Sequence, residues 1–157
     1  MTTYPEAVDD FLAQRRIAVA GVSRSGDQPA NMIFRKLRDA GYEVFAVNPQ
    51  ADQVEGGPCY ESLAAVPVPL DGVVAVTPRE GTDEVVRQCA ELKIPRLWMH
   101  RSFGPGSVSE PAVEAGRRDG ITVLAGGCPM MFVHPDPAHR CMRWVLGMMG
   151  KLPAPRA

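Results

Sequence analysis

Short apolar runs alternate with segments of helical periodicity along most of the chain. Arg16-Ile-Ala-Val-Ala-Gly-Val22 is a nearly continuous apolar run, the pattern of a strand covered on both faces in a parallel sheet. Residues 29–40 place Ile33, Phe34 and Leu37 at helical spacing, with Pro29 in the first turn and Gly41 just past the end, which predicts a helix. Glu43-Val-Phe-Ala-Val-Asn48 reads as a second strand, closed by Pro49, which cannot continue a ladder. Gly72-Val-Val-Ala-Val-Thr77 reads as a third, closed by Pro78, and a helix over about 82–92 follows with Val85, Val86 and Ala90 on one stripe. A fourth strand over 96–100, a helix over 109–118, a fifth strand over 120–125 and a last helix over 137–149 complete the order. Strands alternating with helices at these spacings predict a single α/β domain. Its fold is a Rossmann-like, doubly wound sheet of five parallel strands flanked by helices over 1–150, with a flexible tail at 151–157.

Composition narrows the class. The 157 residues, 45% hydrophobic and 22% charged, suit one domain with a core of its own. Seventeen Lys plus Arg against eighteen Asp plus Glu give a formal net charge of −1, and no basic run has the footprint of a nucleic-acid binder. The acidic start, MTTYPEAVDD, lacks the pattern of a secretory leader and no apolar stretch approaches about 18 residues, so the expectation is a cytoplasmic protein outside the membrane. Cys59, Cys89, Cys128 and Cys141 form no C-x-x-C pair and read as free thiols.

In an open α/β sheet a ligand lies outside the carboxyl ends of the strands, which selects the loops at 21–28, 48–52, 77–81, 100–106 and 126–134. The first, Gly21-Val-Ser-Arg-Ser-Gly-Asp-Gln-Pro29, is hydroxyl-rich and feeds a helix N-terminus, a favourable place for phosphate. Its spacing is neither G-x-G-x-x-G nor a Walker loop. The second strand ends in Asn48-Pro49 where a dinucleotide fold carries an acidic residue for the ribose, which disfavours NAD. The Asn48 amide can meet a base or a pantetheine chain, or it can simply shape a turn.

These residues resemble a family. Ala18-Val-Ala-Gly-Val-Ser23, Leu37-Arg-Asp-Ala-Gly-Tyr42, Val44-Phe-Ala-Val-Asn-Pro49 and Val76-Thr-Pro78 are similar to the CoA-binding domain proteins and the N-terminal domain of the succinyl-CoA synthetase α subunit, over about residues 10–130. The resemblance implies coenzyme A as cofactor and CoA or an acyl-CoA as partner. Gly21, Val22, Ser23 and Arg24 would approach the phosphates and Asn48 and Pro49 would flank the adenosine. Thr77, Pro78, Arg79, His100, Arg101 and Ser102 would line the remaining cleft. Cys128 looks like a recurring cysteine of the family. The synthetase's catalytic histidine and second domain lie outside the match, so the implied function is a binding module without catalysis of its own. Its role would be that of a carrier, a sensor or a regulatory module.

Other chemistry is carried alongside. Arg24 or Arg79 meeting a 2′-phosphate would make an NAD(P) oxidoreductase the alternative. Cys128, His134, His139 and Cys141 are of metal-ligand type, but a helix from Pro137 sets His139 and Cys141 on different faces. Cys128 can also be read as a thiol that forms a mixed disulfide with CoA, or as a buried structural cysteine. Met130, Met131, Met142, Met148 and Met149 cluster with Phe132, Trp144 and Leu146 as core, and any apolar stripe left exposed by the last helix would favour a homodimer.

Overall fold

A computed structural model describes residues 2–102 and 104–152. In chain order the elements are α1 (Tyr4–Leu12), β1 (Arg16–Ala20), α2 (Pro29–Asp39), β2 (Glu43–Val47), β3 (Gln53–Val54), β4 (Gly57–Tyr60), β5 (Gly72–Ala75), α3 (Arg79–Glu91), β6 (Arg96–Met99), α4 (Glu110–Arg118), β7 (Thr122–Ala125) and α5 (Pro137–Met148). Single turns of 3₁₀ helix stand at Leu63–Ala65 and Pro129–Met131. The sheet has seven strands in the order β3-β4-β2-β1-β5-β6-β7, where five were expected. The two additions are a short hairpin on the edge: β4 runs parallel to β2, and β3 is antiparallel to β4. Strands of two and four residues, the second interrupted by Pro58, carry too little alternation to be seen as pattern.

The five expected strands are all present and mutually parallel. Of these, β1, β2, β5 and β6 end one or two residues earlier than the apolar runs because each run continues into its exit turn, whereas β7 ends at Ala125 as expected and starts two residues later, at Thr122. Alternate residues serve opposite layers. Ile17, Val19, Val74, Trp98 and Leu124 pack beneath α1, α2 and the 129–131 turn, whereas Ala18, Ala20, Val73, Ala75, Leu97, Met99 and Val123 pack beneath α3 and α4. A strand buried on both sides has no polar face, which is why these runs read as continuous.

The N-terminal helix α1 was not among the expected elements. A capping box starts it, with Thr3 and Glu6 each bonding the other's main chain, and Phe11 seals it edge-on against the fully buried Trp98, ring centroids 5.4 Å apart. At the other end, α5 buries Leu146, while Trp144, Met148 and Met149 are exposed and Met130 and Met131 are buried. The C-terminal methionines therefore divide between core and surface. The Lys151 amide caps α5 at Leu146 O and Leu152 packs on the core, while residues 153–157 of the expected tail lie outside the described residues. None of the described helices is long and apolar enough to cross a membrane.

Candidate functional site

The chain runs from β1 outward through β2 to the hairpin and then returns to β5 on the far side of β1, so strand order reverses between β1 and β5. At the carboxyl ends of β1, β2 and β5 lies a cleft of about 730 Å³, within the range of small-molecule sites. Ala20, Val47, Leu63, Val76 and Val85 give it apolar walls, while Gly21, Asn48, Pro49, Thr77 and Pro78 form its rim with Glu61, Glu84 and Gln88. A smaller depression of about 430 Å³ is formed by residues that precede β1 and β2, together with residues 132–134.

Close backbone approach shapes the cleft. Gly21 has φ +104°, and a Cβ there would lie 2.3 Å from Val76 O. Only glycine lets β1 leave the sheet while touching the exit of β5. The Gly21 amide bonds Val47 O at 2.9 Å and the Val76 amide bonds Ala20 O at 2.9 Å, so the three strand exits form one backbone layer.

Asn48 links two of these exits. Its Nδ2 donates to Val22 O at 3.0 Å and its Oδ1 accepts from the Gln50 amide at 2.9 Å, closing an Asx turn around Pro49. The amide, read from sequence either as a base or pantetheine contact or as the former of a turn, here forms the turn and is engaged with main chain. Val22 is fully buried, and Ser23 Oγ accepts from the Ser25 amide at 3.1 Å. The exposed Arg24 reaches across the opening to donate from Nη2 to Gln50 O at 2.6 Å, which sets a guanidinium beside the end of β2.

Four residues that the sequence did not single out hold these loops. Asn31, wholly buried on α2, accepts from the Ser23 amide and donates to Ser23 O and to Glu55 Oε1; Glu55 also accepts from Arg35 Nη1 at 2.7 Å. Burial works against the Glu55 carboxylate, but the bonds from Asn31 and Arg35 outweigh it and hold the group below its ordinary pKa. Thr82 and Ser107, both buried, tie the next two loops: Thr82 Oγ1 donates to Ser107 O at 2.8 Å and Ser107 Oγ donates to Thr77 O at 2.6 Å. Buried hydroxyls and amides signal such ties only once burial is known.

The remaining candidates stand elsewhere. Arg79 opens α3 three residues before the expected start and donates from Nε to Val108 O at 3.0 Å. His100, Arg101 and Ser102 follow β6 and do not line the cleft; Arg101 instead bridges to Gly127 beyond β7. Desolvation lowers the His100 pKa to about 4, so its ring is neutral, with Nε2 3.3 Å from Ser102 Oγ. Cys128 is buried, and desolvation pushes its thiol up to about 11. Its surroundings are those of a structural cysteine and oppose the thiolate that a mixed disulfide with CoA would need. His139 bonds the Asp136 side chain at 2.8 Å and Cys141 is exposed; among the described residues no three His, Cys, Asp or Glu side chains converge as metal ligands.

Comparison with known proteins agrees with this geometry. Residues 15–134, from β1 through the 129–131 turn, match the model of a CoA binding domain. The chain is 32% identical over 114 residues to the uncharacterized protein YneT of Bacillus subtilis, covering 73% of this chain and 82% of YneT. It is 25% identical over 118 residues to the ADP-forming acetate–CoA ligase I of Archaeoglobus fulgidus, covering 71% of this chain but 17% of the ligase. A conserved hypothetical protein from Pyrococcus furiosus superposes with a TM-score of 0.63 at 32% identity, covering 73% of this chain and 94% of that one. With a parallel sheet reversing beside β1, a glycine-shaped exit from that strand and a match spanning both, the chain belongs to the CoA binding domain family.

Proposed function

We propose that this protein holds CoA or an acyl-CoA across the carboxyl edge of its sheet, as a carrier or sensor without catalysis of its own. The observation that carries the reading is the cleft at the β1/β5 reversal, apolar within and edged by Gly21, where the loop toward α2 begins, and by Asn48 and Thr77. Its apolar walls suit an adenine ring. The phosphates would lie along residues 21–28, where Ser23 and Arg24 precede the N-terminus of α2, a favourable end for anions. Arg24 stands beside the end of β2, where a Rossmann-like sheet receives the ribose and any phosphate on it. Thr77 and Pro78, on the rim of the cleft, would flank the path of the pantetheine arm. The exposed Trp144, Met148 and Met149 support self-association through α5 as a homodimer.

Thermal melting with added ligand tests the reading. At a CoA concentration of 100 times Kd the folded state gains about 2.7 kcal/mol. For a chain of this size that raises Tm by roughly 5–11 °C. No shift at millimolar CoA, together with a clear shift on NAD or NADP, would replace CoA binding with the oxidoreductase reading.

A further inference from the structure

The loop that begins at Gly21 is gripped from below by side chains of two other elements. Asn31 on α2 spends its whole amide on this grip. Its Oδ1 accepts from the Ser23 amide at 3.0 Å, and its Nδ2 donates to Ser23 O at 2.7 Å and to Glu55 Oε1 at 2.7 Å. One buried side chain thus reads both main-chain groups of Ser23. Glu55 lies in the β3–β4 turn with φ +52°, an uncommon conformation for a non-glycine residue, and its side chain is only 11% exposed. The same Glu55 oxygen accepts from Arg35 Nη1, which also donates to Gly26 O at 2.8 Å. Ser23 and Gly26, three residues apart in the loop, are therefore fixed to one carboxylate through Asn31 and Arg35.

We propose that Asn31 and Glu55 are positioning residues for phosphate recognition: the β3–β4 hairpin sets the conformation of residues 23–26, and with it the place of Ser23 and Arg24. The assignment rests on the CoA reading above. A preformed anion loop avoids the ordering cost that a flexible one would meet on binding. The edge hairpin is then part of the binding apparatus although it touches no ligand, and perturbing its turn alters affinity at a distance.

The test is calorimetric titration of the full chain with CoA and, separately, with pantetheine, which lacks the phosphates. Asn31→Ala weakens CoA at least tenfold and leaves pantetheine within twofold. Asn31→Asp keeps the acceptor for the Ser23 amide but sets a second carboxylate against Glu55, and weakens CoA further. Adding Glu55→Gln to it removes that repulsion and restores CoA affinity to within a few-fold of Asn31→Ala or better. Glu55→Gln alone, a milder change that keeps the side chain's shape, weakens CoA severalfold and serves if the Asn31 variants do not fold. Equal losses for CoA and pantetheine, no rescue in the double variant, or unchanged CoA affinity in Glu55→Gln would each overturn the assignment. Wild-type protein that takes no CoA overturns the CoA reading itself, a distinct result seen before any variant is made.

Discussion

Replacing Gly21 by alanine tests the closest backbone approach in the cleft, and Gly41→Ala supplies its control. Both glycines have strongly positive φ, +104° and +96°. Either alanine meets a conformational cost of about 1–2 kcal/mol. They differ in surroundings: a Cβ at position 41 meets nothing within 4 Å, whereas one at position 21 lies 2.3 Å from Val76 O and 3.0 Å from Val76 C. Backbone atoms cannot swing aside as a side-chain tip can. Relief requires parting the β1 and β5 exits and loosening the Gly21 amide to Val47 O and Val76 amide to Ala20 O bonds, each worth about 1 kcal/mol. Gly21→Ala should therefore cost about 3–4 kcal/mol, against about 1–2 for Gly41→Ala. In Tm these are losses of roughly 6–16 °C and 2–8 °C. Urea denaturation at constant m-value measures the difference directly. If Gly21→Ala is no more destabilising than Gly41→Ala, the strand exits do not touch as described and the geometry of the cleft is wrong.

Three further outcomes follow from individual residues. Ser23→Asp places a carboxylate in the loop assigned to phosphate while preserving an acceptor for the Ser25 amide, so CoA affinity should fall at least tenfold with Tm changed by less than about 3 °C; unchanged affinity in titration removes Ser23 from the site. His100 is held neutral by burial, its pKa lowered from 6.5 to about 4. The unfolded chain therefore binds the extra proton between these values, and stability contributed above pH 6.5 is lost as pH falls toward 4, by at most about 3 kcal/mol. Urea melts at pH 7.5 and 4.5 should show His100→Gln with a smaller acid loss than wild type; identical losses would refute the burial argument. Of the four thiols only Cys141 is exposed, and burial raises the other three. Titration with a chromogenic disulfide at pH 7.5 should show one fast thiol, abolished by Cys141→Ser; a fast phase that survives would mean that another cysteine is accessible.

The parts of the fold legible in the sequence are those whose signal is local. Strands such as β1 and β5 are buried on both faces, so their composition alone announces them, and α2 carries Pro29 and Gly41 at its two ends. The T-x-x-E signature of Thr3 and Glu6 stands before α1 as well, and with Ala7, Val8 and Phe11 at its apolar positions that helix was within reach of the same reasoning. The hairpin was not, since Gln53–Val54 has no periodicity of its own and exists because β4 pairs with β2 at Ala46 and Val47. The site divides in the same way. Loop positions followed from topology, so Gly21, Asn48, Pro49, Thr77 and Pro78 meet at one cleft. The direction of a side chain did not: Asn48 and Arg79 turn to main chain, because their partners come from segments distant in sequence. Asn31 and Glu55 were invisible for the same reason, being 24 residues apart and joined only by the hairpin's return.

Native mass spectrometry of the untagged protein, with CoA, acetyl-CoA, NAD and NADP added separately under reducing conditions, reads ligand identity and stoichiometry in one experiment. One CoA or acetyl-CoA per chain at micromolar ligand, no retained NAD or NADP, and a dimer among the free protein's charge states are expected. NAD or NADP bound in preference to CoA, or no adduct with any of the four, would contradict CoA binding at the cleft.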